Sequence, residues 1–127
     1  MKPHGSWYIA WQDDLMTIDL EGSFNKEGVL QLQHDIRSEV LRKKMTEWAR
    51  LEIFHVDTLA TPDAVHAVEQ FSPWYALNGC VAFGAVCNDS VQKTLLKKVY
   101  RDGVYIYNDT NVAVQSLQGI RHPRRYG

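Results

Sequence analysis

The chain has 127 residues, 45% of them hydrophobic and 23% charged, with a formal net charge of −1. That length holds one ordinary domain around a single core, and those fractions exclude a disordered or low-complexity chain. The apolar run Cys80–Val86 is seven residues, far short of the roughly 20 that a membrane-spanning helix needs.

Trp7–Trp11 and Leu15–Leu20 read as short strands joined by Gln12-Asp13-Asp14, a hairpin signal. In the second run Thr17 and Asp19 alternate with apolar neighbours, so one face is wet. A helix then starts at an Asn25 cap, with Val29, Leu32, Ile36 and Val40 recurring at helical spacing and Arg42, Lys43 and Lys44 closing it. Leu51–Val56 is the next strand. Thr61-Pro62-Asp63 opens a second helix, whose inward stripe is Val65, Val68 and Phe71, and Pro73 ends or kinks it. Asn78-Gly79 is a turn. Cys80–Val86, apolar on both faces, belongs inside a sheet covered on both sides. Asn88 or Asp89 caps a third helix, Ser90–Arg101, with Val91, Leu95 and Val99 inward, ended by Asp102-Gly103. Val104–Tyr107 is the last strand and Thr110–Leu117 the last helix. The order β-β-α-β-α-β-α-β-α predicts an α/β fold: one mixed, mostly parallel sheet with right-handed crossovers and helices packed on it.

This order, the Glu21-Gly22-Ser23-Phe24-Asn25 step into the first helix, the Val81–Asp89 segment and Val104-Tyr-Ile-Tyr-Asn-Asp109 resemble the STAS-type, SpoIIAA-like domains. The resemblance covers about residues 7–117 and leaves 118–127 as a short basic tail. It implies a small non-catalytic domain that regulates a protein partner or holds a lipid-like apolar ligand at a membrane surface. Anti-sigma antagonists carry a phosphorylated serine where the second helix opens. This chain instead has Thr58 and Thr61 within His55–Asp63, which makes those two the phosphoswitch candidates.

Open α/β sheets bind ligands at the carboxyl ends of their strands. Here those ends carry Asp57, Thr58 and Thr61, then Cys87, Asn88, Asp89 and Ser90, then Asn108, Asp109 and Thr110. Such residues are first of all helix caps and turn formers, and an unmodified Thr cap accounts for Thr61. A cysteine hydrolase needs Cys87 as nucleophile, His55 as base and Asp57 as orienter, but no local hydrolase signature surrounds them. The five histidines show no paired ligand spacing, so no metal and no cofactor is expected. A glycine-rich phosphate loop and a nucleic-acid recognition motif are both missing from the sequence.

The first signal of a binding surface is a charge gradient. Residues 1–69 carry twelve acidic and seven basic side chains, and residues 70–127 three acidic and seven basic. Lys93, Lys97 and Arg101 form an i, i+4, i+8 stripe, with Lys98 adjacent, and Arg121, Arg124 and Arg125 add to it. The second signal is Phe71-Ser-Pro-Trp74-Tyr75-Ala-Leu77, aromatics around a proline, which either pack under the sheet edge or suit a membrane interface or a lid over an apolar pocket. These residues make a lipid-like small molecule the expected ligand, with peripheral contact to anionic membrane, and a protein partner the alternative. The N-terminal apolar stretch is too short for a secretory signal. The expectation is therefore a cytosolic protein with Cys80 and Cys87 reduced and, seven apart on one strand, facing opposite ways.

Overall fold

A computed structural model of the chain describes residues 1–101 and 103–121. Asp13, at φ 54, turns the expected hairpin between β1 (Ser6–Gln12) and β2 (Leu15–Glu21). A two-residue β3 (Ser23–Phe24) precedes α1 (Lys26–Lys43) and β4 (Trp48–Phe54). Another short strand, β5 (Leu59–Ala60), precedes α2 (Pro62–Leu77) and β6 (Cys80–Val86). The chain continues through α3 (Ser90–Val99), β7 (Tyr105–Tyr107) and α4 (Thr110–Arg121). The sheet order is β1-β2-β4-β6-β7, antiparallel in the hairpin and parallel elsewhere, while β3 and β5 pair separately.

Caps set the helix starts. Asn25 Oδ1 accepts from Gly28 N at 2.8 Å, Thr61 Oγ1 from Ala64 N at 3.4 Å and Asp89 Oδ1 from Gln92 N at 2.9 Å. Each satisfies an N–H that the first helical turn leaves without a partner. Gly79, at φ +92, makes the turn into β6, where a Cβ would collide with the Thr46 carbonyl.

The two sheet faces are covered differently. α4 alone closes one side, its Ala113 and Leu117 packing on Leu15, Ala49, Leu51, Ala82 and Val86. On the other side α1 and α2 cover Met16, Ile18, Leu20 and Trp48, and Leu96 of α3 covers Ala85 and Cys87. The hairpin is tied to α1 by Trp7 Nε1 donating to Asp35 at 2.9 Å and Trp11 Nε1 to Glu39 at 3.2 Å.

Several expectations are corrected. β4 begins at Trp48 rather than Leu51 and ends at Phe54, leaving Val56 exposed in the following loop. α2 runs through Pro73 to Leu77, so the aromatic segment is helix and not a broken extension. Its buried residues are Ala64, Ala67 and Tyr75, whereas Val65, Val68 and Phe71 are only half-buried. In α3 only Leu96 is buried; Val91 and Leu95 are exposed and Val99 is half-buried. That helix stops at Val99, so Arg101 lies past its end and the basic stripe is not one helical row. β7 starts one residue late, and α4 continues past Leu117. Asp102, Arg124 and Arg125 fall outside the described residues. Trp48 opposes Cys80 while Ala49 opposes Ala82, so Val81 is the extra residue of a bulge in β6. The bulge returns Cys80 to the side of Trp48 and Tyr75, the same side that holds Cys87.

Candidate functional site

The three-helix side does not close. Between α1, α2, α3 and the sheet lies a cavity of about 220 Å³. The stripes that helical spacing assigns to the core, Val65, Val68 and Phe71 of α2 and Val91, Leu95 and Val99 of α3, are its walls. α2 approaches α1 on small residues, and Gln33 Nε2 of α1 donates to the Ala67 carbonyl at 3.1 Å. Gln33 itself lines the cavity, together with the longer side chains of α2 and α3. Leu59, Val91 and Leu95 stand at the mouth with 59%, 74% and 43% exposure, and Val56 in the same loop is 83% exposed. Gln92 Nε2 pins this loop to α3, donating to the carbonyls of His55 and Thr58 at 2.8 Å each.

The floor carries charge. Arg50 and Glu52 of β4 share the face that carries Trp48 and Phe54, both are buried, and Arg50 Nε lies 3.4 Å from Glu52 Oε2. The guanidinium carbon sits 3.4 Å from the Tyr75 ring centre and 3.7 Å from that of Phe83, with Tyr100 at 5.5 Å. Arg50 Nε and Nη1 have no hydrogen-bond acceptor among the described residues, so ring faces and one carboxylate do that work. Burial works against the charge of Arg50, yet Tyr75 and Glu52 beside it hold its pKa above the ordinary value. Burial also raises the Glu52 carboxyl, with Arg50 opposing, and raises the hydroxyls of Tyr75 and Tyr100. Glu52, Tyr75 and Tyr100 line the cavity; Arg50 does not.

The residues singled out from sequence scatter over this geometry. Phe71 and Tyr75 line the cavity, with ring centres 5.1 Å apart and edge-on. Trp74 stacks on Phe71 at 5.1 Å and turns towards Trp48 at 6.4 Å, away from the cavity. Tyr75 is buried and Trp74 half-buried, so neither presents an exposed aromatic to a membrane. Lys93 Nζ donates to Asn108 Oδ1 at 3.1 Å, while Lys97, Lys98 and Arg101 are exposed. Thr58 is buried, its hydroxyl donating to the Leu20 carbonyl at 2.6 Å and accepting from His55 N at 2.9 Å. Thr61 is exposed and caps α2. Asp89 and Asp109 likewise cap α3 and α4.

The cysteine–histidine constellation does not assemble. Cys87 Sγ contacts Gln92 Oε1 at 3.2 Å inside the core, whereas His55 Nε2 pairs with Asp19 Oδ1 at 2.6 Å and lies 3.7 Å from Glu21 Oε1. Asp19, Glu21 and His55 thus form a cluster whose donor atoms all lie within 4.8 Å. A cation entering it must displace the short His55–Asp19 hydrogen bond. That bond raises the imidazole pKa against a desolvation cost, and the charges of Asp19, Glu21 and Asp57 raise it further. Spacing along the chain conceals the cluster, because it depends on β2 pairing with β4. The buried Arg50–Glu52 pair lies within β4, and spacing alone does not tell that helices cover it. Its one visible trace is two charges placed i, i+2 within an otherwise apolar run.

Among the described residues no helix is long and apolar enough to cross a membrane. No family model matches the sequence. No curated protein matches it either. Solved structures match in shape. The unphosphorylated anti-sigma factor antagonist SpoIIAA aligns at TM-score 0.64 and 15% identity, over 90% of this chain and 99% of its own. A Shewanella loihica protein with a SpoIIAA-like fold aligns at 0.68 and 12% identity, over 92% and 96%. An anti-sigma factor antagonist from Mycobacterium paratuberculosis aligns at 0.64 and 9% identity, over 91% and 95%. The similarity spans nearly the whole of each chain.

Proposed function

We propose that this SpoIIAA-like fold serves as a non-catalytic regulatory module whose working surface is the mouth of the three-helix cavity. The observation that carries the reading is the exposed apolar group Leu59, Val91 and Leu95 gathered at one opening. Clustered exposed apolar side chains mark interaction sites, whereas scattered ones do not. Two of the structural neighbours are anti-sigma factor antagonists, which favours a protein partner. Thr61, exposed beside Leu59 at the start of α2, is the place where a phosphate would meet unsatisfied N–H groups and change that surface. Thr58 is the poorer candidate because it is buried; the hydroxyls of both are already engaged, that of Thr61 by Asp63 and Ala64 N. Crosslinked pull-downs with the wild-type chain, Leu59→Asp and Thr61→Glu test this. A partner held by wild type and released by Leu59→Asp supports the reading; recovery unchanged in both variants removes it.

The cavity favours a second reading, an apolar ligand. Its walls are mostly aliphatic and aromatic, with Gln33, Glu52, Thr58 and Gln92 as the polar members. Cavities of this kind bind apolar molecules without needing a polar anchor. The exposed Lys97, Lys98 and Arg101 stand ready to meet anionic headgroups at a membrane surface, at about 1 kcal/mol per basic residue. Native mass spectrometry before and after organic extraction decides whether the purified chain carries such a ligand. Charge reversal of the three residues is expected to weaken binding to anionic vesicles, and unchanged binding removes the membrane contact.

A further inference from the structure

The electrostatics of the cavity floor narrow the class of molecule that can occupy it, an inference that rests on the apolar-ligand reading. Room comes first. An apolar cavity of roughly 150 Å³ accepts benzene, so about 220 Å³ accommodates on the order of ten non-hydrogen atoms. A two-chain phospholipid does not fit, whereas a single short chain or one ring does.

Charge comes second. Among the described residues Glu52 is the one acidic or basic side chain on the cavity wall. Its counter-charge, Arg50, is withheld: the guanidinium is stacked between Tyr75 and Phe83, contacts Glu52 through Nε, and does not reach the cavity. An incoming carboxylate would meet a carboxylate in a medium of low dielectric, with no cation free to receive it. An ammonium would have to share Glu52 with Arg50, in line with a like charge. A hydroxyl can donate to Glu52 and adds no net charge.

We propose that the cavity selects neutral amphiphiles, an apolar body of about ten non-hydrogen atoms ending in a hydroxyl, and discriminates against the carboxylate and ammonium of the same chain length. Burying a charge costs unless it is both paired and hydrogen-bonded, and this floor has already used its pairing internally. Glu52 therefore acts as a specificity gate, with Tyr75 and Tyr100 beside it as the hydroxyl-bearing part of the wall.

The test is calorimetric titration of the full chain with 1-octanol, octanoate and octylamine at pH 7. Octanol is expected to bind about tenfold tighter than either ion, or more. Octanoate or octylamine binding as tightly as octanol overturns the selectivity while leaving an apolar-ligand cavity in place. Silence from all three overturns both. Val68→Phe, which fills the cavity, is expected to abolish octanol binding, and survival of that binding would place it elsewhere and refute the assignment. Glu52→Gln leaves Arg50 without its carboxylate and is expected to shift preference towards octanoate; an unchanged order of affinities counts against the gate. The wild-type series alone decides the selectivity if that variant does not fold.

Discussion

The two faces of the sheet solve opposite problems. On one, a single helix presses so close that a Cβ on Gly84 would sit 2.9 Å from the Tyr107 ring and 3.0 Å from Leu117, and the cluster beneath is wholly apolar. On the other, three helices meet over a face that contains Arg50 and Glu52, and they leave about 220 Å³ unfilled. A tight, dry contact contributes stability and has no room for anything else. A loose contact over a buried ion pair gives up packing energy and gains a cavity. The same β4 strand supplies both, sending Ala49 and Leu51 one way and Arg50 and Glu52 the other.

Removing half of the ion pair is the most damaging way to break this division. Glu52→Ala leaves a fully buried guanidinium uncompensated, with an expected loss of about 3–5 kcal/mol in urea unfolding. The paired replacement Arg50→Met with Glu52→Leu is expected to be neutral or stabilising, because it removes two desolvation penalties together. If the single and double variants lose stability equally, the pair is not what stresses this face.

Matched deletions compare the two sides directly. Leu117→Ala, on the closed face and fully buried, is expected to cost about 2–5 kcal/mol. Leu95→Ala, on the cavity rim and 43% exposed, is expected to change stability by no more than about 0.5 kcal/mol. Filling works in the opposite direction: Val68→Leu, on the cavity wall, is expected to gain about 0.5–2 kcal/mol and to weaken octanol binding. A loss instead would mean that the walls are already in contact.

Much of this fold is legible in the sequence because its signals are local. Asn25, Thr61 and Asp89 announce helix starts, and Gln12–Asp14 announces a hairpin. The site was less legible for a physical reason. Periodicity states which way a side chain faces and is silent on whether anything fills the space it faces. Val91, Leu95 and Val99 do line the cavity, but Val91 and Leu95 stay exposed at its mouth and Leu96 is the residue that packs on the sheet. In β4 the charged Arg50 and Glu52 alternate with apolar residues, yet the face they share is buried. The bulge at Val81, which reverses the direction of Cys80, leaves no local mark either. Contacts between strands distant in sequence, such as Asp19 with His55, follow only once the pairing of β2 with β4 is known.

The smallest expected effect lies outside both packed faces. By strand alternation Asp19 points to the side opposite Leu20, away from the cavity, and its partner His55 remains partly exposed. The imidazole binds its proton more tightly folded than unfolded, through the hydrogen bond to Asp19 first and the nearby acidic charges after it. Its contribution to stability is therefore complete below the unfolded pKa, about 6.5, and is lost as pH rises through the higher folded value. The wild-type chain should show a slightly lower melting temperature at pH 8 than at pH 6, and His55→Gln should flatten that difference. Octanol affinity should be the same in both proteins at pH 7, because the imidazole is not part of the cavity wall. A variant that altered octanol affinity as well as the pH profile would show the two sides of the sheet to be coupled through β4, and the division of labour between them would fail at the strand they share.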